Sequence, residues 1–105
     1  VSELTIRQIQ HRAWANKVAK DFNTTDVALE FGLTMEELSE AFSAWRKGKP
    51  DLGGELADVM IFLAGLAEMN AIDLEAEVEL KLVQNETRRY VRLPNGTPVK
   101  AGDPR

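Results

Sequence analysis

Nine consecutive apolar residues, Val59 to Ala67, lie inside a stretch with helical spacing. Wound as a helix, this run has no polar face, and a helix that is apolar on every side must be covered on every side. It is far shorter than the roughly 20 residues that a bilayer span requires, so protein has to supply the cover. A chain of 105 residues fits one domain with a real core. Three companion helices in so short a chain can hardly surround a fourth. Either the chain covers its own central helix, or a second copy completes the bundle, and a homodimer is the more economical solution.

The rest of the sequence supplies those companions. Leu4 to about Phe22 reads as a helix, with Ile6, Ile9, Ala13 and Val18 among its apolar positions. Asn23-Thr24-Thr25-Asp26 offers loop and N-cap chemistry before a second helix from about Val27 to Arg46, which Lys47-Gly48-Lys49-Pro50 ends. Asp51 can cap a third helix, Leu52 to Asn70, and Asp73 a fourth, Leu74 to about Tyr90. There is no alternating strand pattern, so the expected class is all-α. Residues 1–92 form the helical domain, and residues 93–105 form a turn-rich, extended or mobile tail. No cysteine is present, which excludes a disulfide scaffold, a zinc ribbon and a thiol nucleophile. The first residues show no basic-then-apolar signal pattern, so the expected location is cytoplasmic, away from any membrane.

The formal net charge of −4 conceals a segregation. Residues 21–80 hold fourteen acidic and three basic side chains, while both ends of the chain are basic. An acidic middle disfavours a nucleic-acid polymer as partner. Most charge runs are solvated faces, yet two acidic pairs sit in apolar stripes. Leu29, Leu33, Glu37, Glu40 and Ala44 share one face of the second helix, and Glu55, Asp58, Phe62, Gly65 and Met69 share one face of the third. The connecting Gly/Pro loop is short, so the helices run antiparallel and the pairs face each other at similar depth. Four converging carboxylates would repel, and desolvating each costs several kcal/mol unless compensated. Hard divalent cations with oxygen ligands answer that problem. The competing reading is local: Thr34 to Glu37 fits a capping box, and Glu55 favours a helix N-terminus. Di-iron chemistry needs two E-x-x-H motifs, and the lone His11 follows no glutamate at that spacing.

On the fourth helix Leu74, Val78, Lys81, Asn85 and Arg88 share a face that turns cationic towards its end, with Arg89, Tyr90 and Arg92 following. Basic residues favour a helix C-terminus on their own account, and this explains Arg89 and Arg92 as well as function does. Lys81, Asn85 and Arg88 suit a polyphosphate beside a metal. Lys17 on the first helix is placed to reach the same ligand. Trp14, Phe22 and Trp45 offer platforms for a base, or serve as core. Gly53-Gly54 lacks the ending of a P-loop.

Glu36-Glu37-Leu38-Ser39-Glu40-Ala41, Glu55-Leu56-Ala57-Asp58-Val59 and Lys81-x-x-x-Asn85-x-x-Arg88-Arg89-Tyr90 together resemble the MazG-like all-α nucleoside triphosphate pyrophosphohydrolases, over most of the chain and most strongly over residues 27–90. The resemblance implies a four-helix bundle completed by homodimerisation, sometimes as a dimer of dimers. It implies Mg²⁺-dependent cleavage of a (deoxy)nucleoside triphosphate to the monophosphate and pyrophosphate, with Mn²⁺ as a substitute and nucleotide-pool cleansing as a role. By motif position, Glu37, Glu40, Glu55 and Asp58 would be the catalytic metal ligands, and Lys81, Asn85 and Arg88 would hold the triphosphate; Lys17, Arg89 and Trp45 are further substrate-binding candidates from their placement alone. The family often has a glutamate where this chain has Thr34. Two alternatives remain: a phosphoribosyl-ATP-type biosynthetic pyrophosphohydrolase, and a non-catalytic regulatory helical dimer.

Overall fold

The computed structural model describes residues 3–102, so Arg105 and its two preceding residues, part of the expected tail, lie outside the described residues. The chain is mostly helical: α1 (Ile6–Ala19), α2 (Val27–Arg46), α3 (Leu52–Met69) and α4 (Leu74–Thr87), followed by short strands β1 (Tyr90–Arg92) and β2 (Pro98–Lys100). It divides into two compact units, one up to Glu75 and one from Ala76 onward.

In the first unit α3 packs against both α1 and α2. Its buried residues are Ala64, Gly65, Leu66 and Ala67, and three of these four are small, which allows neighbouring backbones to come close. The α1 helix begins with a reciprocal capping box, in which Thr5 Oγ1 accepts from the Gln8 N–H at 3.1 Å and Gln8 Oε1 accepts from the Thr5 N–H at 2.9 Å. Asp26 caps α2 through a bond from the Leu29 N–H at 3.0 Å. Asp51 holds the N-cap position of α3 but its side chain makes no capping bond. All three helices end in a left-handed reversal. At Asp21 (φ 57°), Gly48 (φ 64°) and Ala71 (φ 55°) the following N–H reaches back to Lys17 O, Ala44 O and Ala67 O.

The opposite end of α1 is tied to the start of α4. Gln10, 5% exposed, donates to Glu68 Oε1 at 2.9 Å and to Ile72 O at 2.7 Å, and accepts from the Leu74 N–H at 3.1 Å. Nearby, Arg7 pairs with Asp73 at 2.8 Å and Glu75 at 2.6 Å.

One expectation changes here. Helical spacing gives α2 a second apolar stripe, Val27, Phe31, Leu38, Phe42 and Trp45, that can serve as core, but Phe31, Leu38, Phe42 and Trp45 are all more than half exposed. The buried residues of α2 are Glu30, Thr34, Ala41 and Ala44, because α3 meets α2 on its small-residue side. The α3 helix leaves Leu56, Met60, Ile61 and Leu63 exposed, so the described residues of the first unit do not cover its whole apolar circumference.

The second unit contains the remainder of α4 and a β-hairpin that the sequence does not announce. Tyr90 pairs with Lys100, Val91 with Val99 and Arg92 with Pro98, antiparallel. Strands of three residues are too short to display a period of two. The turn is legible after the fact: Asn95-Gly96 is a hairpin signal, and Gly96 takes φ 89°, a region that glycine enters cheaply. The Leu93 N–H donates to Thr97 O and the Gly96 N–H to Leu93 O, both at 2.8 Å, closing the turn. The α4 helix stops at Thr87, three residues before the expected end.

Candidate metal centre

Glu37 on α2 and Glu55 and Asp58 on α3 each offer a carboxylate oxygen within 4.8 Å of the other two. Adjacent packing of α2 and α3 produces this meeting, with Glu55 and Asp58 one turn apart on the same face. Glu37 and Glu55 are half-buried, whereas Asp58 and Glu40 are exposed. Glu40 stands one turn beyond Glu37, at the rim rather than within the trio. None of the four carboxylates forms an ion pair among the described residues.

Glu37 carries the electrostatic signature of this crowding. Its pKa is raised from the ordinary 4.5, first by desolvation, then by repulsion from Glu40, Asp58 and Glu55, and by a hydrogen bond that protonated Glu37 donates to Glu40. Folding therefore tightens proton binding at Glu37. That contribution stabilises the fold at acid pH and is lost as pH rises from about 4.5 through the raised value. Glu37→Gln removes the charge at every pH. In chelator-treated protein, the unfolding free energy of this variant relative to wild type should rise as pH is taken from about 4.5 towards neutral. Urea titrations at several pH values measure the difference, and a pH-independent difference would contradict the assignment.

The Thr34 capping-box reading does not apply. Thr34 lies inside α2, and its hydroxyl donates to Glu30 O at 2.8 Å. Lys17 does not extend to a ligand. Its ammonium donates to Glu30 Oε2 at 2.7 Å, with side-chain exposures of 11% for Lys17 and 1% for Glu30. Asn23 Nδ2 donates to the other Glu30 oxygen at 3.1 Å. A cation held this way by a buried carboxylate is a structural element. Sequence reasoning missed Glu30, although its position seven residues before Glu37 places it on the same α2 face.

Trp45 is 64% exposed and stacks on Phe42 with centroids 6.2 Å apart, while the Arg46 guanidinium lies 5.6 Å from the Phe42 ring centre. An exposed aromatic pair of this kind is open to a stacking partner. Phe22 is also exposed, and Trp14 is half-buried.

Lys81, Asn85, Arg88 and Arg89 belong to the second unit. Lys81, Asn85 and Arg89 are exposed and Arg88 is half-buried. The Arg88 guanidinium donates to Asn85 Oδ1 at 3.3 Å, which joins two of the three motif residues. His11 is exposed on α1. Among the described residues, no helix is long and apolar enough to cross a membrane.

Comparison with protein-family models, with curated proteins and with solved structures finds no match to this chain.

Proposed function

We propose that this protein is a divalent-cation-dependent nucleoside triphosphate pyrophosphohydrolase of the MazG-like kind, using Glu37, Glu40, Glu55 and Asp58. The observation that carries the reading is the convergence of Glu37, Glu55 and Asp58 oxygens within 4.8 Å, from two helices and without a paired cation. An all-oxygen donor set of three carboxylates suits a hard cation. Mn²⁺ accepts the same donors.

Bound there, the cation would neutralise charge on the phosphate oxygens. The chain's own carboxylates then orient a water for in-line attack at the α-phosphorus, and pyrophosphate leaves. By the motif resemblance alone, Lys81, Asn85 and Arg88 would hold phosphate oxygens, Arg89 would add charge and Trp45 would offer a face to the base. Lys17 has no part in this reading because Glu30 holds it.

A homodimer accompanies the proposal. Leu56, Met60, Ile61 and Leu63 on α3 and Phe31, Leu38 and Phe42 on α2 leave more apolar surface exposed than a lone protomer is expected to tolerate. Sedimentation at micromolar concentration reads this directly, and a monomer would remove the homodimer from the proposal.

The decisive experiment incubates the protein with Mg²⁺ and each common nucleoside triphosphate, together with phosphoribosyl-ATP, and identifies the products. Monophosphate plus pyrophosphate supports the reading. Orthophosphate alone rejects cleavage between the α- and β-phosphates, and no turnover of any substrate favours a regulatory dimer.

A further inference from the structure

The hairpin of the second unit has two unequal edges. The Leu93 N–H donates to Thr97 O at 2.8 Å and the Ala101 N–H to Arg89 O at 2.9 Å. Bonded and unbonded pairs alternate along an antiparallel ladder, so Val91 and Val99 form the bonded pair between these two. The N–H and C=O groups of Tyr90 and Arg92 therefore point away from β2, and the outward groups of β2 belong to Pro98 and Lys100. No third strand pairs with either edge among the described residues.

The β2 edge is poorly suited to a partner. Pro98 has no N–H to offer, and proline and lysine are residues that blunt sheet edges. The β1 edge keeps both donors and both acceptors. Its one charged side chain is drawn towards the turn, where the Arg92 guanidinium donates to Gly96 O at 2.8 Å. Side chains alternate across the hairpin, which puts Val91, Leu93 and Val99 on one face and Tyr90, Arg92, Pro98 and Lys100 on the other. Val91 and Leu93 are exposed, and neither strand packs extensively on a helix among the described residues. A lone two-stranded hairpin is marginal in water, and a third strand over an apolar face is one way to make it stable.

Charge decides what that strand is. Residues 87–102 hold Arg88, Arg89, Arg92 and Lys100 but no acidic residue, and none of these cations forms an ion pair among the described residues. A second copy of β1 would set these cations against their equals, and like charges on facing strands are destabilising. The acidic runs of this chain at 36–40 and 75–79 are wound into α2 and α4.

We propose that the open edge of β1 docks an extended acidic segment of another protein, which joins the hairpin as a third strand through the backbone groups of Tyr90 and Arg92. The alternation of the hairpin sets the pattern of that segment. Its carboxylates lie on the face of Arg92 and Lys100, and its apolar side chains on the face of Val91 and Leu93. Main-chain bonds hold the segment and charge selects it. Neither the carboxylate trio nor turnover takes part.

Amide hydrogen exchange, followed by NMR on the full chain at low salt, tests the proposal with a synthetic peptide of alternating valine and glutamate. At saturation the peptide is expected to slow exchange of the Tyr90 and Arg92 amides by about tenfold and to leave the Lys100 amide unchanged. The same peptide N-methylated at every amide keeps its charge but loses its donors, and should bind about tenfold more weakly. Equal binding of the two peptides overturns the proposal, as does protection of Lys100 in place of Tyr90 and Arg92, or no binding at all. Tighter binding of a single-stranded oligothymidylate than of the peptide also overturns it, and assigns the basic surface to a nucleic acid.

Discussion

Alanine in place of Glu30 is expected to cost the fold about 3–5 kcal/mol, the range for removing one partner of a buried ion pair. Glu30 is 1% exposed and accepts from Lys17 at 2.7 Å and from Asn23 at 3.1 Å. Without it, the Lys17 ammonium remains in a site with 11% side-chain exposure and no counter-charge. It cannot easily move aside, because its stem lies against Gly65, where an added Cβ would stand 3.2 Å from Lys17 Cδ. Domains of this size are stable by about 5–15 kcal/mol in total, so Glu30→Ala should bring unfolding close to ambient temperature. The double replacement Lys17→Met with Glu30→Leu removes both charges together and should recover most of the loss. Equilibrium urea unfolding of the single and double variants measures this. A single-variant loss below about 1 kcal/mol would show that Lys17 finds solvent and that the pair is not buried in solution.

The second large effect concerns chemistry rather than stability. On the proposed hydrolase reading, Asp58→Asn should abolish Mg²⁺-dependent turnover while leaving the helices intact. Asp58 is exposed and makes no ion pair among the described residues, so the fold does not depend on it. It nevertheless contributes one of the three converging oxygens. Losing a group behind a metal ligand costs about 10–100-fold in affinity or activity, and losing the ligand itself should cost at least the upper end. Raising Mg²⁺ should recover only part of the rate. Steady-state assays across a Mg²⁺ titration, with circular dichroism alongside, separate this outcome from unfolding. Full activity at low Mg²⁺ in the variant would remove Asp58 from the site.

The limits of α2 were legible in the sequence, and those of α1, α3 and α4 nearly so, because breakers and capping residues act locally. The meeting of Glu37 with Glu55 and Asp58 was legible too. Two antiparallel helices joined by a short loop have few ways to face each other, and residues three or four apart share a face. What escaped depends on partners distant in the chain. Sequence spacing offered two apolar faces on α2, and only the packing of α3 decides that Ala41 and Ala44 are buried while Phe42 and Trp45 are exposed. Lys17 read as a cation able to reach the phosphate ligand because spacing along α1 says nothing of Glu30 on another helix. The hairpin was hidden for a different reason: three-residue strands carry too little pattern, and its signal lay in the turn residues Asn95 and Gly96.

The long-range bonds of Gln10 also set an order of assembly. A chain made from its N-terminus completes α1 while every partner of that amide, Glu68, Ile72 and Leu74, is still 58–64 residues away. Lys17, in contrast, needs only a residue thirteen positions later. During synthesis Lys17 can meet Glu30 as soon as α2 begins, while the packing of α1 as a whole waits for α3. The N-terminal half of α1 must wait, still hydrated, until α3 has been made and the chain has turned towards α4.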